Sequence, residues 1–186
     1  MLPPTLTATP TKPVRVVIAD DHQLLVDGFY CAMKKHPQIL MAGYANDGGA
    51  LVNLTDEIRP DVVFTDIQMP VMDGIAATRE IVQRFPYIKV IGFSGFLDEG
   101  YITDMMEAGA MGYLLKNDDY TVILKAIENV MQGKVFYSHE VSNKLAAMMQ
   151  RTGYNPTKPF DMPHFSELEL AVVKEICNGL ISKEIA

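Results

Sequence analysis

Short apolar runs alternate with longer segments of periodically spaced apolar residues from residue 14 to residue 132. The short runs are rich in β-branched residues and predict five strands, whereas apolar residues at helical spacing predict five helices. The predicted strands are residues 14–19, 39–45, 62–66, 89–93 and 112–115. The predicted helices are residues 23–35, 48–58, 74–85, 100–108 and 120–132.

Strands that alternate with helices at this spacing predict an α/β fold with a parallel sheet covered on both faces. The strands are almost continuously apolar, which is typical of strands buried on both faces. We therefore predict a flavodoxin-like, doubly wound, five-stranded parallel sheet. Sheets of this kind bind their ligands at the carboxyl ends of the strands.

The pattern changes after Gly133. Residues 138–149 predict one more helix, and Ser138 is placed to cap its first turn. Residues 151–163 combine proline, glycine and polar side chains, a composition that is typical of a linker. The α/β domain is therefore expected to end at about residue 133.

A final helical segment begins near residue 166, where Ser166 and Glu169 have the spacing of a capping box. The chain ends before a second helix of this segment could be completed. The sequence thus divides into a flexible N-terminal tail (1–13), an α/β domain (14–133), a linker with one helix (134–164) and an incomplete all-α segment (165–186).

Composition and charge narrow the classes of function. The chain of 186 residues is 48% hydrophobic, which is enough for a packed core. It has no apolar run near the roughly 18 residues that a membrane span needs and no export signal, so we expect a cytoplasmic protein without a membrane contact. Its net charge of −7 argues against a strong nucleic-acid surface on this chain.

Polar and charged residues stand where the predicted strands end. Asp20 and Asp21 end the first strand, Asp66 the third, Ser94 the fourth and Lys116 the fifth. The first and third strands are neighbours in a flavodoxin-like sheet, so the three carboxylates are expected to meet in one pocket. The alternative reading is that Asp20 and Asp21 only cap the first helix.

Three carboxylates in one pocket repel each other unless positive charge is present. Mg²⁺ prefers carboxylate and water oxygens, and the ammonium group of Lys116 adds a second cation. A carboxylate can also act as a nucleophile toward phosphorus and form an aspartyl phosphate. The cluster therefore predicts a metal-assisted phosphoryl site, in which Ser94 donates to the phosphoryl group and Gly95 leaves room for it.

Four segments, residues 16–22, 64–74, 93–95 and 108–116, resemble the motifs of response-regulator receivers. The resemblance implies that Asp66 is the phosphoacceptor and that a sensor histidine kinase is the phosphodonor. It implies a Mg²⁺ site with Asp21 as a direct ligand, Asp20 as a ligand through water, and Asp66 and the backbone carbonyl of Gln68 as the remaining protein ligands. It also implies that Ser94 is the switch hydroxyl and Tyr113 the switch aromatic residue.

Two features resemble the NarL/LuxR subgroup of response regulators. Asn117 follows the lysine, where many receivers have proline, and residues 165–186 resemble the start of a LuxR-type helix-turn-helix domain. Leu168 and Ile181 depart from the usual pattern of that domain. Residues 14–133 would then be the receiver domain and residues 165–186 a truncated DNA-binding domain.

The resemblance implies a two-component response regulator that switches a transcriptional output. Such a protein is a signalling switch and catalyses only its own Mg²⁺-dependent phosphorylation and dephosphorylation. We expect it to form a homodimer on phosphorylation and to bind DNA through a complete C-terminal domain. This chain should not bind DNA specifically, because the recognition helix would begin near Ser182 and the chain ends at Ala186.

Two other functions remain possible at this point. A stand-alone receiver could act as a protein-binding adaptor or relay without DNA binding. A hydrolase of the haloacid dehalogenase type also forms an aspartyl phosphate, but it needs an acid-base aspartate two positions after the nucleophile. Gln68 occupies that position and cannot transfer a proton, which argues against the hydrolase.

Two loop positions predict how the phosphorylated state behaves. Phe96 and Gln68 are expected to exclude water from the phosphoryl group and so to make the aspartyl phosphate long-lived.

Phosphorylation is also expected to change self-association. Ser94 moving toward the phosphoryl group would vacate space that Tyr113 could fill, and this would change the surface near the fourth and fifth helices through which the protein self-associates.

Overall fold

The computed structural model describes residues 12–151. The expectations for most of the N-terminal tail, for the linker beyond residue 151 and for the LuxR-type segment lie outside the described residues. The elements follow in the order β1 Val14–Ala19, α1 Gln23–Met33, β2 Ile39–Ala45, α2 Gly48–Ile58, β3 Val62–Thr65, α3 Gly74–Arg84, β4 Lys89–Ser94, α4 Glu99–Glu107, β5 Gly112–Leu115, α5 Tyr120–Met131, β6 Phe136–Tyr137 and α6 His139–Arg151.

The strands form one parallel sheet in the order β2-β1-β3-β4-β5-β6. This confirms the flavodoxin-like order, but the sheet has six strands where we predicted five. The additional strand β6 has two residues, and it pairs with β5 through Gly112 opposite Phe136 and Tyr113 opposite Tyr137. A strand of two residues is too short to show a periodic pattern, which is why the sequence did not predict it. Because of β6, the sheet extends past the domain boundary that we predicted at residue 133.

Helices cover both faces of the sheet. Successive residues of a strand point to opposite faces, so apolar strands need a packing partner on each side. In β1, Val16 and Ile18 pack in the cluster that contains α1 and α5. Val17 and Ala19 face the cluster that contains α2 and α3. This arrangement confirms the doubly wound fold and the burial of both sheet faces.

Aspartates cap four of the helices. Asp47, Asp73, Asp98 and Asp119 each accept a hydrogen bond from a backbone N–H in the first turn of the helix that follows. The N-cap of α1 is His22, whose side chain makes no cap bond. The reading of Asp20 and Asp21 as caps of the first helix is therefore wrong.

The helix α6 packs on α4 and β5. Its Val141 is fully buried in a cluster with Tyr113 of β5 and Met105 of α4. Ser138, which we expected to cap this helix, does so only through its backbone carbonyl, which accepts from Ser142 N at 2.9 Å. Its buried hydroxyl has no hydrogen-bond partner among the described residues, so the side-chain cap was predicted wrongly.

Two basic residues of α6 hold the carboxylate of Glu99 at the start of α4. Lys144 Nζ lies 3.0 Å from Glu99 Oε1, and the Arg151 guanidinium pairs with the same oxygen. The hydrogen bond from Arg151 and the one from Lys144 lower the pKa of Glu99 below its ordinary value of 4.5. These two ion pairs join α4 and α6 at their surface.

Acid is expected to loosen α6 through Glu99. Because the pKa of Glu99 is lower in the folded protein, its ionised form stabilises the contact at neutral pH, and this stabilisation is lost as the pH falls through the lowered value. Amide protection factors of α6, corrected for intrinsic exchange, should fall in that range. Glu99→Gln should show low protection of α6 already at neutral pH, whereas Glu128→Gln on the exposed face of α5 should behave like the wild type. Parallel loss of protection in the wild type and in Glu99→Gln would contradict this prediction.

Candidate functional site

The carboxyl ends of the adjacent strands β1 and β3 bring three aspartates together. Asp20 and Asp21 follow β1, and Asp66 follows β3. Carboxylate oxygens of these residues and a ring nitrogen of His22 lie within 4.8 Å of one another. The structure thus places next to each other the three acids that the sequence analysis singled out.

Lys116, which follows β5, is the cation in this cluster. Its Nζ lies 2.7 Å from Asp20 Oδ2 and 2.8 Å from Asp66 Oδ2. The Asp20 side chain is fully buried and that of Asp66 is 6% exposed. The other Asp66 oxygen, Oδ1, accepts a hydrogen bond from Ile67 N at 2.7 Å. The one ammonium group contacts two of the three carboxylates, so the cluster keeps an excess of negative charge.

Burial and ion pairing shift the pKa values of Asp66 and Lys116 in opposite directions. Burial raises the pKa of Asp66, and the hydrogen bond from Lys116 offsets this only in part. Burial alone would lower the pKa of Lys116, but its hydrogen bonds to Asp20 and Asp66 outweigh that effect, and the pKa is raised. Lys116 is therefore charged at neutral pH and stabilises negative charge on Asp66.

His22 belongs to the cluster and was missed in the sequence analysis. Its Nδ1 lies 2.8 Å from Asp21 Oδ1 and 3.3 Å from Asp20 Oδ1. Its position directly after the two aspartates was a signal for it, because imidazole nitrogen is a common metal ligand. The contact orients the exposed carboxylate of Asp21.

Ser94 and Tyr113, the predicted switch residues, are both fully buried. Ser94 Oγ accepts from Phe96 N at 3.2 Å, and the Tyr113 hydroxyl donates to the Phe96 carbonyl at 2.8 Å. Burial raises the pKa of Tyr113 to about 12. The Tyr113 ring is thus buried in this structure, and its movement together with Ser94 on phosphorylation stays a prediction.

The loop from Asp66 to α3 is tightly folded. Gly74 N donates to Ile67 O at 2.9 Å, and Met72 N donates to Pro70 O at 2.7 Å. Between them Val71 has φ 66°, a left-handed conformation that is strained for a β-branched residue. The loop therefore holds the backbone around Asp66 in one arrangement.

A cleft of about 600 Å³ adjoins the acidic cluster, and Asp21, Gln68 and Tyr101 are among the residues that line it. The Gln68 side-chain amide donates a hydrogen bond to the Tyr101 hydroxyl at 2.5 Å. The role of the Gln68 backbone carbonyl as a metal ligand stays a prediction. Sequence reasoning missed Tyr101, which gives no local signal because its partner is 33 residues away.

The profile of the response regulator receiver domain matches residues 16–151 of this sequence. The chain belongs to the response regulator receiver family. It is 33% identical over 174 residues to the transcriptional regulatory protein LiaR of Bacillus subtilis, covering 92% of this chain and 80% of LiaR. It is 36% identical over 138 residues to DegU of Brevibacillus brevis, covering 74% of this chain and 58% of DegU.

Solved structures agree with the family. A LuxR-family two-component response regulator from an Aurantimonas species superposes with a TM-score of 0.71 at 27% identity, covering 75% of this chain and 99% of that protein. RcsB of Salmonella typhimurium gives a TM-score of 0.69 at 25% identity, covering 95% of this chain and 83% of RcsB.

The protein is a two-component response regulator of the DegU and LiaR type, and hence a signalling protein. Its acidic pocket is compatible with Mg²⁺. Receiver domains partner with histidine kinases. In residues 12–151, none of the helices combines the length and the apolar character that crossing a membrane would require.

Proposed function

We propose that Asp66 accepts a phosphoryl group from a sensor histidine kinase and that this reaction switches a transcriptional output. The observation that carries the proposal is the contact of Lys116 with two buried carboxylates, Asp20 and Asp66, beside the more exposed Asp21. Burying two acids around one lysine, with a third acid beside them, is unfavourable for packing alone. It suits a site that binds a divalent cation and a phosphoryl group.

In the transfer, an Asp66 oxygen forms a bond to phosphorus while the bond from phosphorus to the donor nitrogen breaks. The electron pair of that bond stays on the donor imidazole, which takes up a proton from solvent. The Asp66 carboxylate reacts in its ionised form, and Lys116 stabilises that form. Such transfers depend mainly on positioning and on neutralising charge, which the buried lysine supports.

A magnesium ion fits the excess negative charge of the cluster, and when bound it would neutralise charge on the phosphoryl oxygens. Asp21 would ligate it directly, Asp20 through water, and Asp66 and the backbone carbonyl of Gln68 would complete the protein ligands. The Ser94 hydroxyl would donate to a phosphoryl oxygen. An added Cβ at Gly95 would meet no atom within 4 Å, so there is room at this position.

The output that we propose is regulation of transcription by a phosphorylation-dependent homodimer. LiaR and DegU are transcriptional regulatory proteins, and the RcsB structure was described for its interaction with DNA. By analogy with these relatives, DNA binding would belong to a C-terminal helix-turn-helix domain of the LuxR type. The proposed location of the protein is the cytoplasm, where it would contact both the histidine kinase and the DNA.

The test is phosphoryl incorporation from a small acyl-phosphate donor, measured by intact mass spectrometry with and without Mg²⁺. We expect one phosphoryl group per chain, only with a divalent cation, and borohydride reduction should convert residue 66 to homoserine. Asp47→Asn, which keeps the cap of α2, serves as the control and should be phosphorylated like the wild type. Incorporation without a divalent cation, or a reduction product at another residue, would contradict the proposal.

A further inference from the structure

Tyr101, in the first turn of α4, contacts two side chains beside the acidic cluster. Its hydroxyl accepts the hydrogen bond from the Gln68 side-chain amide. The centroid of its ring lies 6.3 Å from that of the Phe96 ring, with 59° between the ring planes. Gln68 and Phe96 stand two residues after Asp66 and Ser94, so Tyr101 links the loop after β3 to the loop after β4.

Water that hydrolyses a phosphorylated Asp66 needs an open approach to the phosphorus atom. Asp66 is 4% exposed, and its two carboxylate oxygens face Ile67 N and Lys116 Nζ. A hydrolytic water must attack phosphorus on the side opposite to the Asp66 oxygen. The cleft lined by Asp21, Gln68 and Tyr101 adjoins the acidic cluster, and we infer that this water enters through it.

We propose that Tyr101 is a positioning residue that holds Gln68 and Phe96 over the approach of this water and so prolongs the aspartyl phosphate. The inference rests on the proposed phosphorylation of Asp66. The step that it slows is hydrolysis, in which a water oxygen bonds to phosphorus and the bond from phosphorus to the Asp66 oxygen breaks. The electron pair returns to the carboxylate, and the water proton leaves to solvent.

The hydrogen bond gives the proposal a specific test. Tyr101→Phe keeps the ring and its contact with Phe96 but removes the acceptor that fixes the Gln68 carboxamide. We expect it to lose phosphate about two- to tenfold faster than the wild type, the effect of one ordinary hydrogen bond. Gln68→Ala should accelerate the loss at least as much. The double variant should match Gln68→Ala alone, because Tyr101 acts through Gln68.

Phosphate loss is measured by intact mass spectrometry after removal of the acyl-phosphate donor. Tyr87→Phe is the matched control, since the Tyr87 hydroxyl contacts Arg59 at the other end of the sheet, and it should leave the rate unchanged. In the unphosphorylated protein, the side-chain amide resonances of Gln68 should shift in Tyr101→Phe and stay in place in Tyr87→Phe. These shifts test whether the Gln68 hydrogen bond forms in solution, and the rates of the single and double variants test whether it governs hydrolysis.

The outcomes separate this inference from the proposed function. A wild-type rate in Tyr101→Phe with normal phosphorylation would overturn the positioning role and leave Asp66 as phosphoacceptor. Equal acceleration by Tyr101→Phe with and without Gln68 would also overturn it. A wild-type protein that takes up no phosphoryl group would overturn the proposed function together with this inference.

Discussion

Asp66→Asn is expected to abolish phosphoryl incorporation and at the same time to make the protein more stable at neutral pH. An amide is no nucleophile toward phosphorus, so the reaction loses its acceptor. We expect the gain in stability because burial raises the pKa of the Asp66 carboxyl in the wild type. Because the folded state holds the proton more tightly than the unfolded chain, the ionised group destabilises the fold at neutral pH. Asparagine has no charge to bury, and Asp20 still pairs with Lys116.

The difference in unfolding midpoint between Asp66→Asn and the wild type should depend on pH. Urea unfolding at neutral pH should show a higher midpoint for Asp66→Asn than for the wild type. The gap should narrow as the pH falls through the raised pKa of Asp66, since the wild-type carboxyl then becomes neutral as well. Gly28→Ala on the exposed face of α1 changes no charge, so its difference in midpoint from the wild type should not narrow in this way. A variant that is less stable than the wild type at neutral pH would show that the Lys116 contact outweighs the burial of the charge.

Gly74→Ala is expected to disrupt both the stability and the phosphorylation of the protein. A Cβ at Gly74 would lie 1.9 Å from the backbone oxygen of Asp66 and 2.9 Å from Thr65 Oγ1. Because the nearer atom is backbone, α3 and the end of β3 have to move apart. Such overpacking typically costs about 1–3 kcal/mol, and a contact with backbone this close falls at the upper end of that range. The movement also displaces Asp66 from Lys116, so phosphoryl incorporation should fall sharply.

The effect of Gly74→Ala is measured by urea unfolding and by the acyl-phosphate assay on the same preparation. Gly28→Ala is the matched control, because a Cβ at this position on α1 meets no atom within 4 Å. Alanine in a helix interior is favoured over glycine by about 0.5–1 kcal/mol, so the control should be slightly more stable than the wild type. Equal stability of Gly74→Ala and the wild type would refute the close approach of α3 to the phosphoacceptor.

The pattern of the amino-acid sequence alone predicted the α/β class of the fold and the side chains that meet in the acidic pocket. The apolar runs and the helical periodicity located β1 to β5 and α1 to α5 to within one or two residues at each end, because these signals depend on neighbours along the chain. The acids and the lysine could be placed in one pocket because the carboxyl ends of parallel strands share one edge of the sheet. Asp20, Asp66 and Lys116 do meet there.

Only the tertiary structure decided the contacts between residues that are far apart in the chain. The pairing of β6 with β5, the link between Glu99 and α6, and the hydrogen bond between Gln68 and Tyr101 join positions 24 to 52 residues apart. The burial of Tyr113 likewise depends on Val141 and Met105, which come from two different helices. No periodic pattern records such pairs, because each depends on how the completed helices and strands pack together.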